Sequence, residues 1–99
     1  MAKYYTLIGK EAIEVEDVIT WAKEFEAINR RVDKTEVGDA TVSTVFLGMN
    51  HQWEEGRPPL IFETMIFGGK YDENQYRWST WVEAQDGHDN IVKMIKGES

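Results

Sequence analysis

Cysteine is absent from this 99-residue chain, which excludes a disulfide framework, a thiol nucleophile and thiolate metal ligation, and agrees with a reducing compartment. Cations are in deficit, with 11 Lys and Arg against 18 Asp and Glu and a net charge of −7. A surface of that sign repels the phosphate backbone, so neither large nucleic acids nor anionic membranes are expected partners. A compact phosphorylated ligand stays open, because one or two arginines and a helix N-terminus neutralise a small anion locally. Long apolar runs are missing as well: none approaches the roughly 18 residues of a membrane span. The opening Met1-Ala2-Lys3-Tyr4-Tyr5 lacks the apolar core of a secretion signal. An intracellular protein is expected. Both prolines fall together at Pro58-Pro59, and there are two histidines, His51 and His88.

What is present is aromatic and aliphatic. Four Trp, four Tyr and four Phe within an apolar fraction of 41% suffice to fold one modest core without metal or disulfide, so residues 1–99 read as a single domain. Tyr4 to Ile8 and Ala12 to Val15 are rich in aromatic and β-branched residues around Gly9-Lys10-Glu11, the pattern of a small hairpin. From Asp17 the period changes. Val18, Trp21, Ala22, Phe25 and Ile28 recur at three and four, which predicts an amphipathic helix capped by Asp17. Arg31 to Val37 and Ala40 to Met49 follow as strands around Gly38-Asp39. Along the second, Val45, Leu47, Met49 and His51 share one face, and Val42, Thr44, Phe46 and Gly48 the other. Residues 52–59 form a loop, since proline cannot donate to a ladder. Leu60 to Phe67 and Gln75 to Ser79 are further strands. Thr80-Trp81-Val82-Glu83 has the form of a capping box, opening a helix to about Lys96 with Gly97 as its stop. The order ββα-ββββ-α predicts an α+β fold, an antiparallel sheet of about five to six strands with two helices packed on one face.

Three ionisable residues stand out against this pattern. Glu63 lies at the centre of Leu60-Ile61-Phe62-Glu63-Thr64-Met65-Ile66-Phe67, where an uncompensated carboxylate costs several kcal/mol. If both sheet faces are covered, Glu63 is buried. Its plain reading is an ion pair with Arg77; its functional reading is a general acid/base or a ligand acceptor. His88 shares a helical stripe with Trp81, Ala84, Ile91, Val92 and Ile95, beside a Gly87 that weakens the helix and marks a close approach to its backbone. It is either a core histidine or a site group. His51 closes the long strand and is either an exposed strand-end residue or a member of the same site. Two histidines and a glutamate supply an acid and a base around a phosphodiester, and less readily a metal set, since the histidines lack a short ligand spacing. Trp53 and Trp78 offer flat surfaces for a nucleobase, Arg57 and Arg77 offer forked donors, and the free amides after Thr80 favour an anion.

The segments Thr44-Val45-Phe46-Leu47-Gly48-Met49-Asn50-His51, Pro58-Pro59-Leu60-Ile61-Phe62-Glu63-Thr64-Met65-Ile66-Phe67-Gly68-Gly69 and Arg77-Trp78-Ser79-Thr80, leading into Glu83-Ala84 and Gly87-His88, resemble a group of small hypothetical proteins encoded in tailed-bacteriophage genomes. The resemblance runs from about Trp21 to Lys93. It implies a phage origin and action in the bacterial host cytoplasm, and it carries no activity or catalytic residue with it. Small phage proteins outside the virion and the replication machinery often counter host defence, several by capturing or cutting nucleotide immune messengers.

The first expectation is therefore a counter-defence protein that binds and sequesters a small nucleotide-type ligand, with cleavage as an extension. His51, Glu63 and His88 would form its catalytic set, and Trp53, Arg57, Arg77, Trp78 and Thr80 its ligand contacts. No cofactor or resident metal is expected. Self-association is, because Phe46, Phe62, Phe67 and Trp78 exceed what one small sheet and helix interface needs. The alternative is a protein–protein inhibitor of a host enzyme acting through an acidic, aromatic surface, with the ionisable residues merely structural. A metal-dependent hydrolase ranks third.

Overall fold

Six antiparallel strands and two helices follow one another in the order ββα-ββββ-α, giving an α+β fold. The computed structural model describes residues 3–97; Met1 and Ala2, part of the N-terminal stretch inspected for a leader, lie outside the described residues. The strands divide into a two-stranded and a four-stranded sheet.

β1 (Tyr4–Ile8) and β2 (Glu11–Val15) form the expected hairpin, and α1 (Val18–Ala27) packs against them. The Asp17 carboxylate accepts from the amides of Ile19 and Thr20 at 3.3 and 3.2 Å, satisfying two of the free donors that open a helix. Trp21 stacks on Phe25 and donates its indole N–H to the Tyr5 carbonyl at 3.0 Å. Even so, no residue of α1 is fully buried.

β3 (Arg31–Val37), β4 (Ala40–Phe46), β5 (Phe62–Phe67) and β6 (Gln75–Trp78) form a meander in that order, and α2 (Trp81–Ile95) lies across all four. The capping box is present: the Thr80 hydroxyl accepts from the Glu83 amide at 3.1 Å, and the Glu83 carboxylate accepts from the amides of Thr80 and Ser79 at 3.2 and 3.1 Å. At the far end Gly97 takes a φ of +78°, and its amide donates to the Met94 carbonyl. A left-handed backbone there is why glycine ends the helix.

Register assigns every side chain to one of two faces. Toward α2 point the rows Phe46-Phe62-Trp78, Asp33-Thr44-Thr64-Tyr76 and Thr35-Val42-Ile66. Away from it point Arg31-Val45-Glu63-Arg77, Lys34-Ser43-Met65-Gln75 and Glu36-Thr41-Phe67. No helix covers this second face, so the expectation that Glu63 is enclosed from both sides is not met.

β4 also stops sooner than the sequence suggests, at Phe46 rather than Met49. The chain turns at Gly48, where φ is +76° and the Phe25 ring occupies the space of a Cβ. Tyr5 donates its amide to the Gly48 carbonyl at 2.8 Å, and Tyr4 bridges Met49. Leu47 still donates its amide to the Ile61 carbonyl at 2.7 Å, and residues 48–50 then leave the ladder to join the two sheets. The core reflects this junction: Tyr5, Phe46, Ile61, Phe62 and Ala84 form one cluster, and Ala40, Val42, Ile66 and Ile91 form another.

Candidate functional site

Between the two apolar clusters runs a buried line of polar atoms with His88 at its centre. Helical spacing places His88 on the inner stripe of α2, where its side chain is 0% exposed. Its Nδ1 lies 2.7 Å from the Thr44 hydroxyl and its Nε2 2.8 Å from that of Thr35. Thr44 and Thr64 hydroxyls are 2.6 Å apart, and the Trp78 indole N–H donates to Thr64 at 3.0 Å.

The direction of this chain follows from its end. Trp78 can only donate, so Thr64 accepts from it; of the directions the distances allow, the one that satisfies every group has Thr64 donating to Thr44 and Thr44 to His88 Nδ1. The His88 proton is then on Nε2, directed to Thr35, and every member is satisfied. Among the described residues no buried side-chain nitrogen or oxygen lacks a partner. A second ring proton would reverse the line and leave the Thr64 hydroxyl without an acceptor. Burial also pushes the His88 pKa below its ordinary 6.5, against the opposing pull of the Asp33 and Asp89 carboxylates. His88 is thus a neutral core histidine at pH 7, bonded to threonine hydroxyls.

Asp33 sits at the rim of this line, 3.6 Å from His88 Nε2. Its pKa is lowered, first by a hydrogen bond from the Gln85 amide at 2.9 Å, then by the Lys34 amide and His88, against the opposing effect of burial. An acid, a histidine and a hydroxyl in sequence resemble a nucleophilic triad, but Thr44 is 0% exposed and no substrate reaches it. Gly87 has its reason here too: a Cβ at that position would collide with the Trp78 indole. The glycine lets the ring lie against the helix and reach Thr64.

The remaining expected site residues are scattered. Glu63, its side chain 15% exposed, accepts from Arg77 Nε at 3.2 Å on the uncovered face. The whole thickness of the sheet separates it from His88. His51 lies past the Gly48 turn, half-buried, with its amide donating to the Leu60 carbonyl at 3.0 Å. None of four clefts in the surface is lined by His51, Glu63 or His88. The convergent trio is therefore corrected: one member is core, one is an ion pair, and one belongs to the loop arm.

The ligand-contact set disperses likewise. Arg57 pairs with Glu54 at 3.2 Å in the exposed loop, and Trp53 there is 94% exposed. Arg77 and Trp78, adjacent on β6, necessarily face opposite ways. Thr80 is occupied as the cap, its hydroxyl accepting from the Glu83 amide, while the Glu83 carboxylate accepts from the Ser79 and Thr80 amides just before the helix. Both arginines carry a carboxylate partner. Among the described residues no group of three His, Asp or Glu side chains is arranged to hold a metal ion. Among the described residues no helix is long and apolar enough to cross a membrane.

The structure adds a feature the sequence reading did not single out. A cleft of about 650 Å³ opens between β1, β2 and α1, with Leu7, Ile8, Ile13 and Ile28 in its wall. Glu14, Glu16, Asp17 and Glu24 also line it, and no lysine or arginine does. Ile8, Ile13, Val18 and Ile19 are four of the seven large exposed hydrophobics among the described residues. The exposed aliphatic surface is thus concentrated in the first fifth of the chain.

Comparison with known proteins identifies no relative. No family model matches the chain, nor does any curated protein or solved structure.

Proposed function

We propose that the protein is a non-catalytic binding module that docks onto a basic partner protein through the cleft between β1, β2 and α1. In the setting implied by its resemblance to tailed-phage proteins, the partner is a host enzyme in the bacterial cytoplasm and the outcome is inhibition. The observation that carries this reading is one cleft combining exposed aliphatic side chains with four carboxylates and no cation. Aliphatic area supplies affinity when removed from water, and a rim of one sign speeds and orients encounter with a partner of the other. A cationic segment with an apolar stripe satisfies both.

A helical peptide with Leu on one face and Lys on the other is the direct probe, against a scrambled isomer without the stripe. The striped peptide binds more tightly, and salt weakens it. Ile13→Asp abolishes binding, and Glu14→Lys with Glu24→Lys weakens it at least about tenfold, as reversal of two rim charges implies. Equal binding of the scrambled peptide, or indifference to Ile13→Asp, would refute the reading.

Nucleotide capture keeps one specific observation in its favour. In a second cleft, of about 360 Å³, the Lys10 ammonium lies 5.8 Å over the Trp81 ring beside Ser79 and Thr80. A base could stack on Trp81 with Lys10 on its phosphate. Mono-, di- and cyclic nucleotides that raise the melting temperature of the wild type but not of Trp81→Leu would support it; no rise with any of them removes it.

A further inference from the structure

We infer that β6 is an open sheet edge that takes an extended segment of a partner protein as a further strand, with a cationic and an apolar side chain of that segment seated in the groove between β6 and α2. The inference is independent of the acidic cleft beside α1, which lies at the hairpin.

The two edges of the four-stranded sheet differ. β3 and β6 each pair on one side only among the described strands. β3 carries Arg31, Asp33, Lys34 and Glu36, and its register with β4 shifts between Arg31 and Asp33. Charges and a bulge are ordinary means of blunting an edge. The pairing of β6 with β5 is regular, and its one charged residue, Arg77, is turned to the other face and joined to Glu63.

α2 is also off-centre over the sheet. Gln85 and His88 bind it to Asp33 and Thr35 at the β3 edge, at 2.9 and 2.8 Å. On the β6 side the helix meets Trp78 at Gly87, and a groove of about 430 Å³ stays open there. Its aromatic wall is a pair: Tyr76 and Trp78 stack with centroids 6.3 Å apart and planes 15° from parallel. A strand laid beside β6 projects alternate side chains into that groove.

The lining of the groove selects the occupant. Glu83, Asp86, Ile91 and Met94 line it, and no lysine or arginine does. Only Ser79 and Thr80 link β6 to α2, so the helix runs back along the strand. The carboxylates therefore lie toward Trp78 and the aliphatic pair toward Tyr76. An arginine stem packs on an indole face while its guanidinium reaches a carboxylate, and a leucine suits the other end. Antiparallel addition, the arrangement throughout this sheet, puts the arginine first, so the occupant reads Arg-x-Leu. β6 has four residues, which leaves about two outward-facing backbone positions. So few pairs do not hold a strand by themselves, and the groove supplies the selectivity.

A labelled peptide of β-branched residues with Arg-x-Leu at its centre, titrated into the full chain, tests this by fluorescence anisotropy and amide chemical shifts. It binds at least about tenfold more tightly than an isomer with Arg and Leu adjacent, which sends them to opposite faces, and N-methylation of its backbone weakens it as much. Amide signals of Gln75 to Trp78 move, and those of Arg31 to Val37 do not. Asp86→Lys, at an exposed position, weakens binding about tenfold. Asp89→Lys, an equal change of charge on the flank where Asp89 meets Gln85, changes it little. Ile13→Asp leaves it unaltered, which separates this site from the hairpin cleft. No binding, equal binding of the isomer, equal weakening by Asp89→Lys, or shifts centred away from β6 would overturn the proposal. So would β6 signals that move with protein concentration alone, since they would give the edge to a second copy.

Discussion

α1 and α2 are both amphipathic and both capped by an acceptor side chain, yet they hold opposite positions in the molecule. α2 buries Ala84, Gly87, His88 and Ile91 against four strands, whereas α1 buries nothing completely against two. The difference lies in what each helix covers. A four-stranded sheet offers a continuous platform, and a two-stranded hairpin is marginal on its own. The C-terminal part therefore supplies the fixed frame, and the N-terminal part is tied to it through Tyr4, Tyr5 and the Gly48 turn. Binding surfaces are commonly drawn from such lightly packed regions. The acidic cleft is consistent with that division.

The largest test of this contrast is a cavity in the frame. Phe62 is fully buried between Phe46 and Trp81, so Phe62→Ala should cost about 3–5 kcal/mol in urea unfolding. Phe25→Ala in α1, at a half-exposed position, should cost clearly less. Equal losses would dissolve the distinction. Next comes the polar line. Thr64→Val removes the link between Trp78 and Thr44 and leaves the indole N–H buried without an acceptor, a loss of about 1–3 kcal/mol. A neutral result would mean the chain of hydroxyls does not hold the helix. Below that, Asp17→Ala removes the α1 cap and lowers the urea midpoint by less than Thr64→Val does, with faster amide exchange confined to α1, β1 and β2. Spread of that effect into α2 would show the two regions unfold together.

The mildest perturbation is pH. The folded-state pKa of His88 lies below the unfolded value of 6.5, so as pH falls below about 6.5 the unfolded chain binds a proton that the native one does not. Stability is full above that point and declines below it, until the folded pKa is passed. The lowered pKa of Asp33 acts in the same direction further down, below its ordinary 3.8. The urea midpoint should accordingly drop between about pH 7.5 and about pH 5.5, and a flat profile would contradict a buried neutral His88.

Much of the fold was readable in advance because it rests on local signals. The strand and helix order, the Asp17 cap, the Thr80–Glu83 box and the Gly97 stop each depend on a few neighbouring residues. The bend at Gly48 was not readable, since it answers to Phe25 and Tyr5, more than twenty and forty residues away in sequence. The site was legible only in part. His88 was placed on the inner stripe, and Gly87 marked a close approach, but their partners Thr35, Thr44 and Thr64 were hidden as ordinary strand threonines. Threonines alternating with Val42, Phe46, Phe62 and Ile66 on one face were the available clue, because a buried hydroxyl requires a partner.

Glu63 shows where such reasoning ends. Its period on the strand and its pairing with Arg77 follow from sequence and register, and the ion pair is there. Whether that strand face was enclosed or open depended on where α1 would pack, and α1 went to the hairpin. Sequence determined the elements, their order and the inward face of each, because period and capping are short-range physics. Tertiary structure alone decided which ionisable groups share a space, because that is set by packing between residues distant in the chain.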